Sequence, residues 1–367
     1  MIFCYIILMY SEDFKRKRFI GSILGLCVGD SLGFIIKDYD KKIAKDYVIN
    51  CVNNLQVLQY GRGYRSDSKV TGPVHIREQN KCSWFYKFGQ YTDHSRHLRE
   101  ILLCVYENNG TFNFENYTKK ITQMYKYPRR RNGNGSIIKN ATDKLNRGIS
   151  YKFSGIENTL SNTSAVNSGI FGLLFNNDLI DITSTYSMIT HMSSKCAAGS
   201  VCIASFVLMA SVNQTIQPEN FLNKAAECVS KIDTEFAQNI LILKKVINLP
   251  ADHAFVMIKS IKNGWEDNNK INSDVVVSVL WSIYCFLKHP NNFMDCINEA
   301  LLVGGNVHST AAMAGSMSGA FLGIDAIPKQ FLERLNDDSK WNGVDLYNLS
   351  SKVYDICYNK NDDMIMI

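Results

Sequence analysis

The sequence predicts an all-α fold: a single compact multi-helix domain over residues 19–358, with an extension at 1–18 and a short tail at 359–367. Three observations carry this reading. Leu98, Ile101, Leu102 and Val105 recur at i, i+3, i+4 and i+7, which lays one apolar stripe along a helix. Residues 196–211 are almost continuously small and apolar, as in a helix buried on every side. The 367 residues, 46% hydrophobic and 20% charged, suffice for a large core, and no break in composition marks a second domain.

The elements follow in order. The first ten residues are apolar but lack a preceding basic region and a small-residue cleavage site. They read as an extension packed on the domain rather than a signal segment. Ile20, Leu24, Cys27 and Val28 form a small-residue helix running into Gly29-Asp30-Ser31-Leu32-Gly33. Residues 48–58 are the best strand candidate. Residues 60–90 and 127–161 are rich in Gly, Asn and Arg with poor periodicity, and read as long functional loops. Two helices at 275–287 and 297–302 are separated by His289-Pro290-Asn291-Asn292. The Ala, Gly, Ser and Met of 315–323 suit close contact between helices.

A net charge of +6 is too small for a nucleic-acid footprint, so no specific nucleic acid is expected. The basic runs Lys15-Arg16-Lys17-Arg18 and Arg129-Arg130-Arg131 read as solvated helix face or loop. No uninterrupted apolar run reaches 18 residues, which argues against membrane association. Eleven scattered cysteines without a C-x-x-C pair read as reduced thiols in a cytoplasmic protein, expected to be a monomer.

Two polar clusters open helices: Gly89-Gln90-Tyr91-Thr92-Asp93-His94-Ser95 and Gly304-Gly305-Asn306-Val307-His308-Ser309-Thr310. Oxygen and imidazole groups crowded into a first helical turn converge on a metal or polar ligand. The commoner reason for such residues is N-capping, with Asp93 and Asn306 as the caps.

These clusters, with Gly25-Leu26-Cys27-Val28-Gly29-Asp30-Ser31-Leu32-Gly33, Ser161-Asn162-Thr163-Ser164-Ala165, Thr190-His191 and Ala326-Ile327-Pro328, stand in an order that resembles the ADP-ribosylglycohydrolase family. The resemblance implies an all-helical hydrolase acting on the glycosidic bond between ADP-ribose and a protein side chain or small acceptor. It also implies two divalent ions, in the family magnesium, between the two helix starts, held by oxygen ligands. On this sequence the metal positions are Thr92, Asp93, His94, Asn306, His308 and Ser309, with Asp93 and His94 as the catalytic pair. Substrate contacts fall on Gly133, Asn134, Gly135, Ser136, Asn162 and His191, with Tyr125, Tyr127 or Tyr151 as the adenine wall.

The chain departs from the family pattern at the acidic positions. Asp is replaced by His94, Asn306 and His308, and Glu by Lys37; Thr163 and Asn167 alter a further motif. A two-histidine, one-carboxylate set suits manganese, iron or zinc better than magnesium; the other outcome is a neutral hydrogen-bonded pair of histidines with no metal. Function is accordingly read as ADP-ribosyl hydrolase, or as an inactive relative that binds ADP-ribose or an ADP-ribosylated protein, or serves as a scaffold.

Overall fold

The computed structural model describes residues 12–65, 70–126, 136–262, 270–338 and 340–358. In chain order α1 (Glu12–Ile35) and α2 (Lys41–Tyr47) precede a small antiparallel sheet of β1 (Tyr60–Tyr64), β2 (Val70–His75) and β3 (Trp84–Lys87), arranged β2-β1-β3. Then come α3 (Asp93–Glu107), α4 (Phe114–Tyr125), α5 (Ser136–Asn146), β4 (Ile156–Glu157), α6 (Thr163–Asn167), α7 (Gly169–Leu174) and α8 (Leu179–Met188). The short β5 (His191–Met192) pairs in parallel with β4 and leads into α9 (Ser194–Val212), α10 (Pro218–Ser230), α11 (Thr234–Val246) and α12 (Ala251–Ser260). The chain closes with α13 (Val275–Lys288), α14 (Phe293–Leu301), α15 (Val307–Leu322), α16 (Lys329–Leu332) and α17 (Gly343–Tyr358). Thr92, Asn113, Asp233, Asp274 and Asn292 each accept a backbone N–H at a helix start, which explains where α3, α4, α11, α13 and α14 begin.

Helix α1 is buried on every side from Arg18 to Ile35 and lies along α15. The reason is in the sequence. Gly21, Gly25, Gly29 and Gly33 recur every fourth residue and form one bare stripe. A Cβ added at Gly21 would lie 2.5 Å from the Gly319 carbonyl oxygen, and one at Gly33 would lie 2.5 Å from the His308 Cα. At Gly29 it would strike the backbone of Ala311 and Ala312, which cannot rotate aside. We therefore expect Gly29→Ala to cost about 2 kcal/mol or more through overpacking, despite the roughly 1 kcal/mol gain in helix propensity. Urea unfolding measures this, and a loss under about 0.5 kcal/mol would contradict backbone contact at that position.

Several sequence expectations are corrected. Residues 48–58 hold no strand: Val48–Val52 is a π-helical turn continuing α2, and Gln56–Gln59 a 3-10 turn. The three-stranded sheet lies instead in the Gly-rich 60–90 region, where Gly61 and Gly63 let β1 press against Phe85, Tyr86 and Cys82. Helix α5 occupies part of the region read as loop at 127–161. The first basic run is helical and not merely solvated: Arg18 is buried and donates to the carbonyls of Ala210, Ser211 and Asn213, closing the end of α9. Arg16 pairs with Asp355 at 2.5 Å. The second basic run lies outside the described residues. Helices α1 and α9 are long and apolar enough to cross a bilayer, yet 100% and 78% of their apolar windows are buried inside the protein.

Candidate active site

The first helix start is organised by Asp30 of α1, which is 0% exposed. Its carboxylate accepts from Thr92 N (2.9 Å), Thr92 Oγ1 (2.7 Å), Ser95 N (3.3 Å) and Ser95 Oγ (2.7 Å). An anion at a helix N-terminus is doubly satisfied, by N–H donors and by the helix dipole. Thr92 Oγ1 in turn accepts from His94 N at 3.3 Å, so Thr92 is the N-cap and Asp93 is not.

At the second start Gly304 and Gly305 adopt φ of +68° and +84°, which only glycine takes without strain. Their turn is pinned by Asp38 N to Gly305 O (2.8 Å), Gly305 N to Tyr39 O (2.7 Å) and Asn306 N to Ile271 O (2.8 Å). Asn306 holds the cap position of α15, but its side chain accepts no N–H, against the capping expectation.

The two starts meet through their histidines. The His94 and His308 rings stack with centroids 4.8 Å apart and planes 30° from parallel. His94 Nε2 bonds Ser309 Oγ at 2.9 Å, so the imidazoles are stacked and not bonded to each other, and the buried Nδ1 of each has no partner among the described residues. Burial, then the charges of Lys37 and Arg62, holds His308 well below the ordinary histidine range, and its ring is neutral.

Asp93 faces the other way. Its Oδ2 accepts from Tyr125 at 3.2 Å, while the buried Oδ1 has no partner among the described residues. The Tyr125 hydroxyl also bonds His97 Nε2 (2.8 Å), and His97 Nδ1 bonds the Tyr117 hydroxyl (2.9 Å). Burial pushes His97 down to about 4, against the opposing pull of Asp93. This chain was not legible as a site, because an aromatic at helical spacing reads as core. Tyr125 is accordingly a buried hydrogen-bonding group and not an adenine wall. Tyr151 stacks on Phe114 at 5.3 Å, and Tyr127 lies outside the described residues.

A cavity of about 10 Å³, lined by His97, Tyr117, Tyr186, Thr163 and Thr190, adjoins this chain and holds no more than one water. His191 is 0% exposed and shares a 2.7 Å bond between Nδ1 and Thr190 Oγ1, and its Nε2 has no partner among the described residues. Burial pushes it down to about 3. Asn162 spends its amide on Ser278 Oγ at 2.9 Å. Gly133, Asn134 and Gly135 lie outside the described residues, and Ser136 begins α5.

The donor set does not fit two hard cations. Asp30 is fully engaged by Thr92 and Ser95, and at the two helix starts Asp93 Oδ1 is a carboxylate oxygen without a partner among the described residues. The remaining groups are imidazoles, an amide, a hydroxyl and the nearby Lys37 ammonium, where divalent magnesium requires mostly oxygen ligands. Among the described residues no three His, Cys, Asp or Glu side chains stand together as a metal-holding group.

Comparison with known proteins is consistent across sequence and structure. The ADP-ribosylglycohydrolase family model matches residues 11–363. The ADP-ribosylhydrolase ARH3 of Xenopus tropicalis is 24% identical over 357 residues, covering 89% of this chain and 93% of the relative. The ADP-ribosylarginine hydrolase Tri1 of Pseudomonas putida is 22% identical over 332 residues, covering 86% and 73% respectively. A solved chain described as an ADP-ribosylglycohydrolase-related protein complex shares the fold, with a TM-score of 0.64 at 16% identity over 94% of this chain and 99% of its own. Because the family model spans nearly the whole sequence, with the motif-bearing helix starts brought face to face, the chain belongs to the ADP-ribosylglycohydrolase family.

Proposed function

We propose that this member of a hydrolase family recognises ADP-ribose or an ADP-ribosylated protein without turning it over by a magnesium-assisted route. The observation that carries the reading is the His94–His308 stack, at 4.8 Å, where the two helix starts meet. Magnesium catalysis needs carboxylates there to hold the ion and offset its charge; two imidazoles supply neither. Recognition of ADP-ribose is supported by the family and by relatives named for ADP-ribosyl hydrolysis.

A second reading keeps hydrolysis without magnesium. Asp93 retains one oxygen without a partner among the described residues while Tyr125, itself bonded to His97, holds the carboxylate's other oxygen, an arrangement suited to taking a proton from water. The test combines calorimetry with ADP-ribose, thermal melts with magnesium, and ADP-ribose release from modified protein in magnesium or chelator. We expect ADP-ribose binding, no magnesium-dependent rise in Tm and no release. Ligand at a hundred times its Kd would add about 2.7 kcal/mol, so a real magnesium site would be plain. Release in chelator would favour the second reading. A magnesium-dependent melt together with release would overturn the first.

A further inference from the structure

We propose that helix α5 is a lid over the cavity between His97 and Thr190, shut in this structure, which must open before a ligand reaches His191. What enters rests on the ADP-ribose reading above; the lid itself does not.

The cavity bounded by Ile138 of α5 together with His97, Tyr117 and Thr190 measures about 10 Å³. A pocket for a ligand the size of ADP-ribose needs roughly 300 Å³ or more. Thr190 Oγ1 shares its 2.7 Å bond with His191 Nδ1, and the Nε2 of that fully buried ring has no partner among the described residues. A buried polar nitrogen left so is a standing cost that a ligand hydroxyl would remove. Entry therefore requires one wall of the cavity to move.

The other walls are firmly held. His97 stands on α3, which Arg96 and Arg99 tie to Asp337 at 2.8 and 2.7 Å. Tyr117 of α4 and Tyr186 of α8 belong to the main apolar core. Ser164 of α6 shares hydrogen bonds with Ser187 and Ser200 at 2.9 and 3.1 Å. Helix α5 differs, packing chiefly on α4 and β4. It buries Ile138, Ala141 and Thr142, with Leu145 half-buried against the main core. Ile138 joins Met124 and Tyr125 in an apolar cluster separate from that core. The Thr142 hydroxyl donates to Ile138 O and Lys139 O within its own helix. A segment with so few buried apolar contacts opens at a lower free energy than the whole domain.

A pivot and a latch complete the device. Helix α5 closes on Gly148, at φ +83°, with Ile149 N bonded to Lys144 O at 3.2 Å. A Cβ at Gly148 would meet nothing within 4 Å, and residues 147–150 are exposed, so this turn is unobstructed. The chain is next anchored at Tyr151, stacked on Phe114 at 5.3 Å, and at Ser154, whose Oγ donates to Ile189 O at 2.7 Å. Gly148 to Ser150 is accordingly the pivot. The latch is Lys144, whose Nζ donates to Gly155 O at 2.9 Å. Gly155 does not travel with the lid, since a Cβ there would lie 2.3 Å from Met188 O.

The test treats the purified full-length chain with diethylpyrocarbonate, which acylates accessible neutral imidazoles, and follows His191 by peptide mass spectrometry. Amide hydrogen exchange of α5 and α9 is measured on the same proteins. We expect α5 amides to exchange at least about tenfold faster than those of α9. Ile138→Ala should speed both α5 exchange and His191 labelling about tenfold or more, and Lys144→Met about fivefold. Lys144→Arg keeps the donor and should stay near the wild type, as should Val256→Ala on α12. Unchanged α9 exchange separates lid opening from loss of the fold. Labelling unchanged in both Ile138→Ala and Lys144→Met, or α5 amides that exchange only as fast as α9, would overturn the lid. ADP-ribose association, followed by stopped flow, should quicken by the labelling factor, because the open fraction rises. Association at an unchanged rate would overturn the lid as the way in. If labelling quickens and ADP-ribose binds none of these proteins, the lid stands and the ADP-ribose reading falls.

Discussion

Replacing Asp337 by alanine is expected to lower the stability of the protein by about 3–5 kcal/mol, the cost of leaving buried arginine charge uncompensated. Asp337, in the loop between α16 and α17, is 6% exposed and sits between Arg96 and Arg99, which are 1% and 2% exposed. Arg96 Nε reaches its Oδ1 at 2.8 Å and Arg99 Nη1 its Oδ2 at 2.7 Å. Burial alone would raise the Asp337 carboxyl, and the two guanidinium groups overcome that and hold it below the ordinary range. Arg99 has a second carboxylate in Glu100, at 2.8 Å, and Trp341 under its guanidinium at 5.3 Å.

Both arginines belong to α3, the helix that carries Thr92, Asp93, His94 and His97. The loop around Asp337 is tied to the same helix start through Asn336 N to Gly89 O at 3.0 Å and Tyr91 N to Asn336 O at 3.2 Å. Asp337 is thus a clamp on the orientation of the candidate site as well as on its helix. Urea unfolding of Asp337→Ala and Asp337→Asn measures the effect. The asparagine should lose less, since it keeps an acceptor while giving up the charge. Converting Arg96 and Arg99 to methionine together with Asp337→Leu should recover much of the loss, because apolar groups of similar volume replace the buried charges. A loss under about 1 kcal/mol in Asp337→Ala would show that the arginines find other partners or water.

What the sequence made legible, and what it did not, follows from the range of each interaction. The small residues of 315–323 were readable as a surface for close helix contact because the pattern is local, and Gly315 and Gly319 do meet the backbone of Gly25 and Gly21 in α1. The order of the motifs placed Thr92 to His94 opposite Asn306 to Ser309, and the His94–His308 stack is that juxtaposition. Asp30 appeared in a motif but not as a site residue. Its role as the anchor of Thr92 and Ser95 depends on residues 62 and 65 positions away. The Tyr125–His97–Tyr117 chain was hidden in the same manner, since a buried tyrosine differs from core only by what its hydroxyl touches. Arg62 was missed because β1, with its alternating glycines, looks like a loop when read without its partners β2 and β3. A clue was present: an arginine flanked by two glycines admits close backbone approach, here to the carbonyls that end α1.

Acid is expected to destabilise the fold by about 4 kcal/mol between pH 7 and pH 5, through buried histidines alone. His97 and His191 are buried, and burial pushes their values down to about 4 and about 3 respectively. The sign follows from proton counting. Above about pH 6.5 the rings are neutral in both folded and unfolded chains, and their burial adds no pH dependence. Below that, the unfolded chain takes up protons that the folded chain refuses, so stability falls by about 1.4 kcal/mol per pH unit per ring. The loss continues until the pH reaches each folded value, near 4 for His97 and near 3 for His191. At pH 5 each ring has therefore removed about 2 kcal/mol, and His308, also displaced downward by burial and Lys37, adds in the same direction. Asp337 titrates in a lower window, since its folded value lies below that of a free carboxyl, and it contributes little above pH 5. Urea unfolding at half-unit steps from pH 7.5 to pH 5 gives the slope directly, and His191→Gln should reduce it by about one proton's worth, roughly 1.4 kcal/mol per pH unit, whatever the variant does to absolute stability. A wild-type slope below half a proton, or an unchanged slope in His191→Gln, would mean that these imidazoles are hydrated or charged in the folded protein.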